Sequence, residues 1–347
     1  METKLSICMP TYNFAEYISD AVRSILDQDG SSEVELIVFD GGSTDNTHAV
    51  MTRLCDEYPQ IRYIRAAERG GIDRDIANTV DYAIGEYCWL FSSDDVMHPN
   101  SLRIILNEIA SGSDVYICKH LECTINMQPI LEWPALGVSS SEVFDLSNSE
   151  SRRRYFSLAE NTEPFFSFMS GIVVKRATWN SIQLPLEFLG TCWAHVARLF
   201  GTIPAGLTVK YLAQPLLSRR GENDSFSRSG IVNRYRIAVD GFNKLADVFF
   251  GKDSIEAFHI RRVLQNEINL GDLILAKSRC RQNPEVEDEI ILNRIVDSLY
   301  YDSSLKTFIK KILYRSCPTE PWVIEVLRAI YRAVYGPPLS PETRMLV

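Results

Sequence analysis

The sequence contains 347 residues, of which 46% are hydrophobic and 23% are charged, and its formal net charge is −9. This composition is typical of a globular protein and excludes a disordered chain, and the negative charge argues against nucleic acid as the main partner. No apolar run approaches the roughly 20 residues that span a bilayer, and the first residues lack the pattern of a signal peptide. The eight cysteines form no CxxC pair and no zinc-type spacing. These features predict a location in the reducing cytoplasm.

The first hundred residues alternate between predicted strands and predicted helices. The strand-like runs are apolar without polar alternation, as expected where both faces of a strand are covered. They are residues 5–9, 36–39, 63–64 and 87–91. Helical spacing of apolar residues follows over 18–26, a second helix begins at Asp45 or Asn46 and reaches about Glu57, and Pro99 with Asn100 opens another. Alternating strands and helices predict an α/β fold with a mostly parallel sheet and right-handed crossovers.

One helix start has a more specific signal. Asn13 stands three residues before Glu16, and this spacing is typical of a capping box ahead of the helix over 18–26.

The pattern changes twice further along the chain. Residues 111–220 are less regular, with strand candidates at 115–118, 171–174 and 208–212. A polar segment over 219–230, with two glycines and three serines, has the composition of a boundary between domains. Beyond it the spacing is helical, over 261–277 and again over 287–300.

Polar residues gather where three predicted strands end, at 10–13, 40–45 and 92–95. Ligands bind beyond the carboxyl ends of strands in such sheets, and two acidic clusters at one edge repel each other unless a cation lies between them. A hard divalent cation that shares its shell with a diphosphate fits Asp40, Asp94 and Asp95. The alternatives are that Asp94 and Asp95 cap the next helix, and that Asp40 only shapes a turn in which Asp45 is the N-cap.

Motifs of other nucleotide-binding proteins are absent. The sequence has no GxxxxGK[ST] loop and no GxGxxG turn after its first strand, which disfavours a P-loop kinase and a nicotinamide dehydrogenase. A nucleotidyltransferase needs a glycine-rich loop with a basic residue early in the chain, and residues 5–16 contain none.

Five segments together resemble family 2 glycosyltransferases, which have the GT-A fold. They are SICMPTYN at 6–13, ELIVFDGGSTDNT at 35–47, AERGGIDRDIA at 67–77, GEYCWLFSSDD at 85–95, and the proline at 99. The combination of ERGGIDRDIA with WLFSSDD is similar to the subgroup that attaches deoxysugars in bacterial O-antigen assembly, such as abequosyltransferases.

The resemblance implies roles at matching positions. Pro10, Thr11 and Tyr12 are expected to bind the nucleotide, and Asp40 to contact its base without choosing among pyrimidines. Ser93 and Asp94 are expected at the diphosphate, and Asp94 and Asp95 at Mn²⁺ or Mg²⁺. The family usually has an acidic residue at Ser92, so fewer charged ligands are available here.

A second segment of the resemblance concerns the sugar and its phosphates. Asp73, Arg74 and Asp75 match the segment that contacts them in the family. The Arg74 guanidinium suits a diphosphate, and the alternative is an ordinary surface charge.

The family's catalytic base has no obvious counterpart. Inverting members usually carry an acidic pair at the start of a helix facing the sugar donor, and the matching region here is 189–195, without one. His195 is the candidate base because imidazole titrates near neutral pH, with Asp95 as the other candidate catalytic residue and Glu187 as a weaker base. Alternatively, His195 is a core histidine, because it shares a helical face with Cys192, Val196 and Leu199.

Two segments of the second half have open interpretations. Residues 219–225 match a segment that closes over the sugar donor in the family, or they are a solvated linker. Residues 306–332 contain six Lys/Arg against two Glu, alternating with apolar residues at helical spacing. Such a helix binds an anionic membrane surface, or it packs on the protein or at a contact between two copies.

The combined prediction is a GT-A domain over 1–220, with a nucleotide-sugar half (1–100) and an acceptor half (101–220), followed by a helical region over 230–347. The expected activity is metal-assisted transfer of a hexose or deoxyhexose from a nucleotide-diphosphate sugar to a hydroxyl of a glycan or lipid-linked oligosaccharide. A homo-oligomer is an open expectation. The alternative function is a non-catalytic nucleotide- or glycan-binding protein of the same fold.

Overall fold

The structure is a computed structural model that describes residues 3–223, 229–302, 304–320, 322–326, 329 and 333. The chain divides into two compact units, residues 1–220 and residues 221–347. Of the polar segment over 219–230, residues 224–228 lie outside the described part.

The first unit is built around one sheet, which has ten strands within the described residues. The strands are β1 (Leu5–Thr11), β2 (Val34–Asp40), β3 (Ile61–Arg65), β4 (Tyr87–Leu90), β5 (Val96–Met97), β6 (Val115–Cys123), β7 (Pro129–Glu132), β8 (Glu142–Asp145), β9 (Ile172–Lys175) and β10 (Thr208–Arg220). Their order is β3-β2-β1-β4-β9-β6-β10-β5, with β7 paired to β6 and β8 paired to β10.

The sheet is parallel in its first half and mixed in its second. β3, β2, β1 and β4 are parallel neighbours, as the alternation of strands and helices predicts. β9 then lies antiparallel between β4 and β6, and β5, β7 and β8 also pair antiparallel with their neighbours. β6 and β10 are parallel over nine residue pairs, so the predicted mostly parallel sheet is confirmed. The antiparallel pairs belong to the second half, where the strands follow irregular connections rather than crossover helices.

Helices cover the sheet. In the first unit they are α1 (Ile18–Leu26), α2 (Thr47–Glu57), α3 (Ile72–Asp81), α4 (Ser101–Glu108), α5 (Ser149–Leu158), α6 (Arg176–Asn180) and α7 (Ala194–Gly206). The apolar stripe of α1 is buried, and every residue of β1 is buried as well. Each large aliphatic side chain buried in this core contributes roughly 1.5–3 kcal/mol to stability.

The predicted capping box is wrong. α1 begins at Ile18 after Tyr17, and no side chain caps it. Asn13 instead has a φ of 60°, and its Oδ1 accepts hydrogen bonds from Thr44 N at 2.7 Å and Asp45 N at 3.2 Å. Asparagine tolerates this left-handed conformation, and the contacts join the turns after β1 and β2.

The described part of the second unit is helical. It contains α8 (Ile231–Phe250), α9 (Ile255–Glu267), α10 (Leu270–Gln282), α11 (Glu289–Leu299) and α12 (Leu305–Ser316). The single helix predicted over 261–277 is two helices, because Asn269 caps a new helix start and forms a capping box with Asp272. Among the described residues, no helix has the length and apolar character needed to span a membrane.

Candidate active site

The ends of β1, β2 and β4 meet at one edge of the sheet, which we call the carboxyl edge (residues 10–13, 40–45 and 92–95). β1 lies between β2 and β4, and Thr11 pairs with Asp40 in register. The three predicted polar groups are therefore brought to the same edge, as the parallel order of these strands requires.

The end of β1 offers a buried hydroxyl and a partly exposed ring. Pro10 is buried within the strand. Thr11 is 3% exposed, and its Oγ1 has no hydrogen-bond partner. The ring of Tyr12 is partly exposed, and the Arg69 guanidinium carbon lies 4.2 Å from its centroid. A cation over an aromatic face attracts the π system, so Arg69 fixes the ring at this edge.

Asp40 is held inside the turn after β2. Its Oδ1 accepts from Ser43 N at 2.6 Å, its Oδ2 accepts from Tyr63 Oη at 2.7 Å, and the side chain is fully buried. Arg65 Nε lies 3.6 Å from Oδ2. These contacts are those of a carboxylate that shapes a turn. A contact between Asp40 and a nucleotide base stays a prediction, and it requires a buried lone pair to become accessible.

Asp75 of α3 lies directly under this turn. A Cβ on Gly41 would stand 2.4 Å from Asp75 Oδ2, so only glycine leaves room for the carboxyl group. Asp75 Oδ1 is buried without a hydrogen-bond partner. Burial raises the pKa of Asp75 to about 6, against a lowering effect of Arg69. A buried acceptor without a partner costs free energy unless a ligand or water supplies the donor.

The end of β4 contains the predicted diphosphate motif. Ser93 Oγ is a third buried polar atom without a partner. Asp94 is partly exposed and accepts a hydrogen bond from Ser92 Oγ. Asp95 is 2% exposed; its Oδ2 accepts from Ser170 Oγ at 2.5 Å and its Oδ1 from Arg220 N at 3.0 Å. Burial, with the charge of Asp94, raises the pKa of Asp95 to about 8.

The two carboxylates therefore differ in what they can bind. Within the described residues, no group of three or more His, Cys, Asp or Glu side chains is placed to hold a metal ion. Mg²⁺ is commonly held by one or two carboxylates together with substrate phosphates. Asp94 fits that arrangement because it is accessible. Asp95 fits it less well, because protein donors already occupy both of its oxygens.

The segment over 73–75 splits between two places. Arg74 is exposed, whereas Asp73 is 4% exposed. Asp73 accepts backbone hydrogen bonds from Gly190 at 2.8 Å, Cys192 at 3.1 Å and Ala194 at 3.0 Å. These groups lead into α7, so Asp73 neutralises the positive end of that helix.

His195 lies in the first turn of α7 and is 5% exposed. Its Nε2 lies 3.0 Å from the Phe166 carbonyl, so Nε2 carries the proton and donates, and Nδ1 has no partner. Burial lowers the pKa of His195, against the charge of Asp73. The ring is thus neutral and oriented by a carbonyl, with one free lone pair, which is the form that a general base requires. The other candidate base, Glu187, is exposed.

Sequence reasoning placed Arg220 only in the segment over 219–225, and it missed the contacts by which Arg220 joins the edge to β10. Its backbone binds Asp95, and its guanidinium donates to the Asp94 and Ile125 carbonyls and to Asp20 at 3.0 Å. These partners are 95–200 residues away in sequence, so no local pattern announces them. Arg69 was also missed, although it lies in the segment over 67–77, five residues before Arg74, which was a usable signal.

Comparisons with known proteins agree with this geometry. The family model for glycosyl transferase family 2 matches residues 6–163. Abequosyltransferase RfbV of Salmonella typhimurium is 30% identical over 269 residues, which cover 76% of this chain and 79% of that protein. The GalNAc(5)-diNAcBac-PP-undecaprenol beta-1,3-glucosyltransferase of Campylobacter jejuni is 25% identical over 199 residues, covering 56% and 60%.

Among solved structures, S. aureus TarS 1–349 in complex with UDP-GlcNAc has a TM-score of 0.61. It is 16% identical, and the match covers 95% of this chain and 92% of that one. This likeness confirms the predicted GT-A fold.

Proposed function

The chain belongs to glycosyl transferase family 2, and from that premise we propose that it moves a hexosyl or deoxyhexosyl group from a nucleotide-diphosphate sugar to a hydroxyl of a glycan or lipid-linked oligosaccharide. The observation that carries the proposal is the set of three buried polar atoms without partners at or under the carboxyl edge: Thr11 Oγ1, Asp75 Oδ1 and Ser93 Oγ. A polar, hydroxylated ligand would satisfy them. The name of the C. jejuni relative includes an undecaprenol-linked oligosaccharide, which supports a lipid-linked acceptor. We place the transfer in the assembly of a surface polysaccharide such as O-antigen, on the cytoplasmic side.

The chain's own residues would divide the work as follows. Thr11 and Tyr12 would bind the nucleoside. Arg69 and Arg74, the exposed cations of the segment over 67–77, would bind the diphosphate. Asp94, with Asp95 behind it, would hold Mn²⁺ or Mg²⁺ against that diphosphate. The cation supplies positive charge for the leaving group, which is the usual contribution of a metal in such transfers.

His195 is the proposed base. Its neutral ring, with Nε2 fixed by the Phe166 carbonyl, takes the proton of the acceptor hydroxyl at Nδ1. The Asp73 charge beside it stabilises the imidazolium that forms.

The test is a thermal-shift panel of UDP, GDP, CDP and dTDP, each with and without Mn²⁺. We expect one nucleotide to stabilise the protein in a metal-dependent way, by about 2.7 kcal/mol at a concentration of 100 Kd. Asp94→Ala removes the metal-dependent part. Asp56→Ala is the matched control, because Asp56 is an exposed carboxylate on α2.

Two results would contradict the proposal. A nucleotide-induced thermal shift that is equal with and without Mn²⁺ would show that nucleotide binding does not need the metal. If no nucleotide binds and no sugar nucleotide is consumed with a lipid-linked oligosaccharide fraction as acceptor, the alternative of a non-catalytic glycan-binding protein replaces it.

A membrane surface is the proposed partner of α12. Its apolar residues Leu305, Phe308, Ile309, Ile312 and Leu313 are 46–72% exposed, whereas Thr307 and Tyr314 are buried. At 3.6 residues per turn these five form one stripe, with Lys306 and Lys310 on one side and Lys311 and Arg315 on the other. An apolar stripe bordered by cations fits an anionic lipid surface. Residues 327, 328, 330 and 332 of the predicted basic segment lie outside the described part.

Vesicle flotation tests this partner. We expect binding to vesicles containing phosphatidylglycerol that weakens as salt rises, and loss of binding in Phe308→Ser/Ile312→Ser. Ile290→Ser is the control, because Ile290 is an 81% exposed apolar residue of α11 outside the stripe. If the double variant floats like the wild type, the surface is wrong. If it instead turns an oligomer into a monomer, the stripe is a contact between copies.

A further inference from the structure

A buried ionisable cluster lies in the second half of the sheet, around β6. His120 of β6 is fully buried, with Nε2 3.6 Å from Glu122 Oε2 and Nδ1 3.5 Å from Glu163 Oε2. Neither ring nitrogen has a hydrogen-bond partner. Structural networks of buried polar groups are normally saturated with hydrogen bonds, because unmade bonds are costly. This cluster leaves the imidazole unsatisfied between two carboxylates.

Two aromatic rings enclose the imidazole. The Phe168 ring centroid lies 4.5 Å from that of His120, and the Trp133 centroid lies 6.2 Å away with the planes at 26°. Both aromatic residues are partly exposed. Arg219 completes the group, 3.5 Å from Glu122 and with its guanidinium 5.8 Å from the Phe168 centroid. We call these six residues the His120 cluster.

The composition of the cluster indicates a class of ligand. Binding sites for small polar ligands combine aromatic and apolar walls with a few charged groups that fix orientation. A pyranose has an apolar C–H face, which packs on an aromatic ring, and hydroxyl groups, which donate to carboxylates and to an imidazole nitrogen. Partly exposed Trp133 and Phe168 supply the rings. Glu163, with 9% of its side chain exposed, supplies a carboxylate beside His120.

The cluster is connected to the carboxyl edge through Asp95. Ser170, which binds Asp95 Oδ2, is two residues beyond Phe168, and Arg220, which binds Asp95 Oδ1, directly follows Arg219. Both ends of the cluster are therefore tied to the carboxylate behind Asp94. A sugar on this surface would lie beside the place where the diphosphate is proposed to bind.

We propose that the His120 cluster is the subsite for the acceptor sugar, with Trp133 and Phe168 packing on its apolar face and Glu163 accepting a hydrogen bond from one of its hydroxyls. The proposal rests on the proposed function, because it assumes that the acceptor is a saccharide. It assigns acceptor choice to residues 120–168 and leaves the nucleotide to the carboxyl edge.

Saturation-transfer NMR tests it directly. The probes are the methyl glycosides of mannose, galactose, rhamnose and N-acetylglucosamine, each added to the full chain in the presence of UDP, GDP, CDP, dTDP and Mn²⁺. We expect at least one glycoside to receive saturation, and Glu163→Gln and Trp133→Leu to weaken its binding at least tenfold. Glu160→Gln is the matched control, since Glu160 is an exposed carboxylate three residues away.

A structural role of the cluster gives a different result. If the role is structural, Glu163→Gln and Trp133→Leu lower the melting temperature and the nucleotide-induced thermal shift together. If the cluster binds the acceptor, both variants keep the wild-type nucleotide-induced shift. The proposal is overturned if no glycoside binds, or if both variants keep glycoside binding. A protein that binds a glycoside but no nucleotide contradicts the proposed function and leaves the cluster as a sugar site.

Discussion

The carboxyl edge and the His120 cluster occupy two halves of one sheet, and they are assembled differently. At the edge, each polar group follows directly on a buried parallel strand, so Thr11, Asp40 and Ser93 come together because β2, β1 and β4 are neighbours. The His120 cluster takes residues from β6, the segment after β7, the irregular segment over 163–168, and β10. The carboxyl edge is thus specified by short local patterns, and the His120 cluster by contacts distant in sequence.

This difference limits what one sequence can predict. A strand that ends in Asp-Gly-Gly or is followed by Ser-Ser-Asp-Asp identifies an edge, and right-handed crossovers then restrict the possible strand orders. The antiparallel β9 has no such signal, since Ile172–Lys175 is a short run of three apolar residues and a lysine that fits either direction. Arg220 and Ser170 converge on Asp95 only after β9 and β10 are placed, so the role of Asp95 as an internal anchor could not be predicted. Asn13 shows the reverse error, because its helix-capping pattern is overridden by a contact with another turn.

The largest expected effect is on the rate of the chemical step and comes from a substitution at His195. His195→Gln removes the proposed base and keeps a polar side chain of similar size. We expect turnover to fall about 100-fold, with the nucleotide-induced thermal shift unchanged. Initial rates of nucleotide release with acceptor, measured over pH 6–9, check it. An unchanged rate would leave His195 as a core histidine that orients α7.

A smaller effect, on stability, is expected where Asp73 of α3 binds the backbone at the start of α7. Asp73→Asn weakens the three backbone hydrogen bonds at the start of α7 and removes the charge facing that helix end. We expect the free energy of unfolding to fall by about 2–3 kcal/mol, measured by urea denaturation. Asp81→Asn, at an exposed position at the end of α3, is the control. Equal losses of unfolding free energy in the two variants would mean that the contact between α3 and the start of α7 does not depend on the carboxylate of Asp73.

Gly41→Ala tests the edge alone. The new methyl group displaces Asp75, and we expect a destabilisation of about 1–2 kcal/mol together with a smaller nucleotide-induced shift. Adding Asp75→Ala relieves the clash, so the double variant should recover stability relative to Gly41→Ala. Gly201→Ala is the control, because its Cβ would meet nothing closer than 3.4 Å. If the second substitution makes the protein less stable still, the clash is not the cause.

The smallest expected effect is at Asp95, the carboxylate shared by both halves. Its pKa is raised to about 8 in the folded protein, against roughly 3.9 in an unfolded chain. The folded state therefore binds the proton more tightly. The free energy of unfolding declines as the pH rises from the pKa of the unfolded chain towards 8. Between pH 7 and 8 we expect the wild type to lose on the order of 1 kcal/mol relative to Asp95→Asn, measured by urea denaturation without metal. Asp94→Asn should reduce that loss, because the Asp94 charge is the second cause of the shift after burial. Parallel pH profiles for the wild type and Asp95→Asn would show that Asp95 is already ionised between Ser170 and Arg220, held by their hydrogen bonds rather than by a proton.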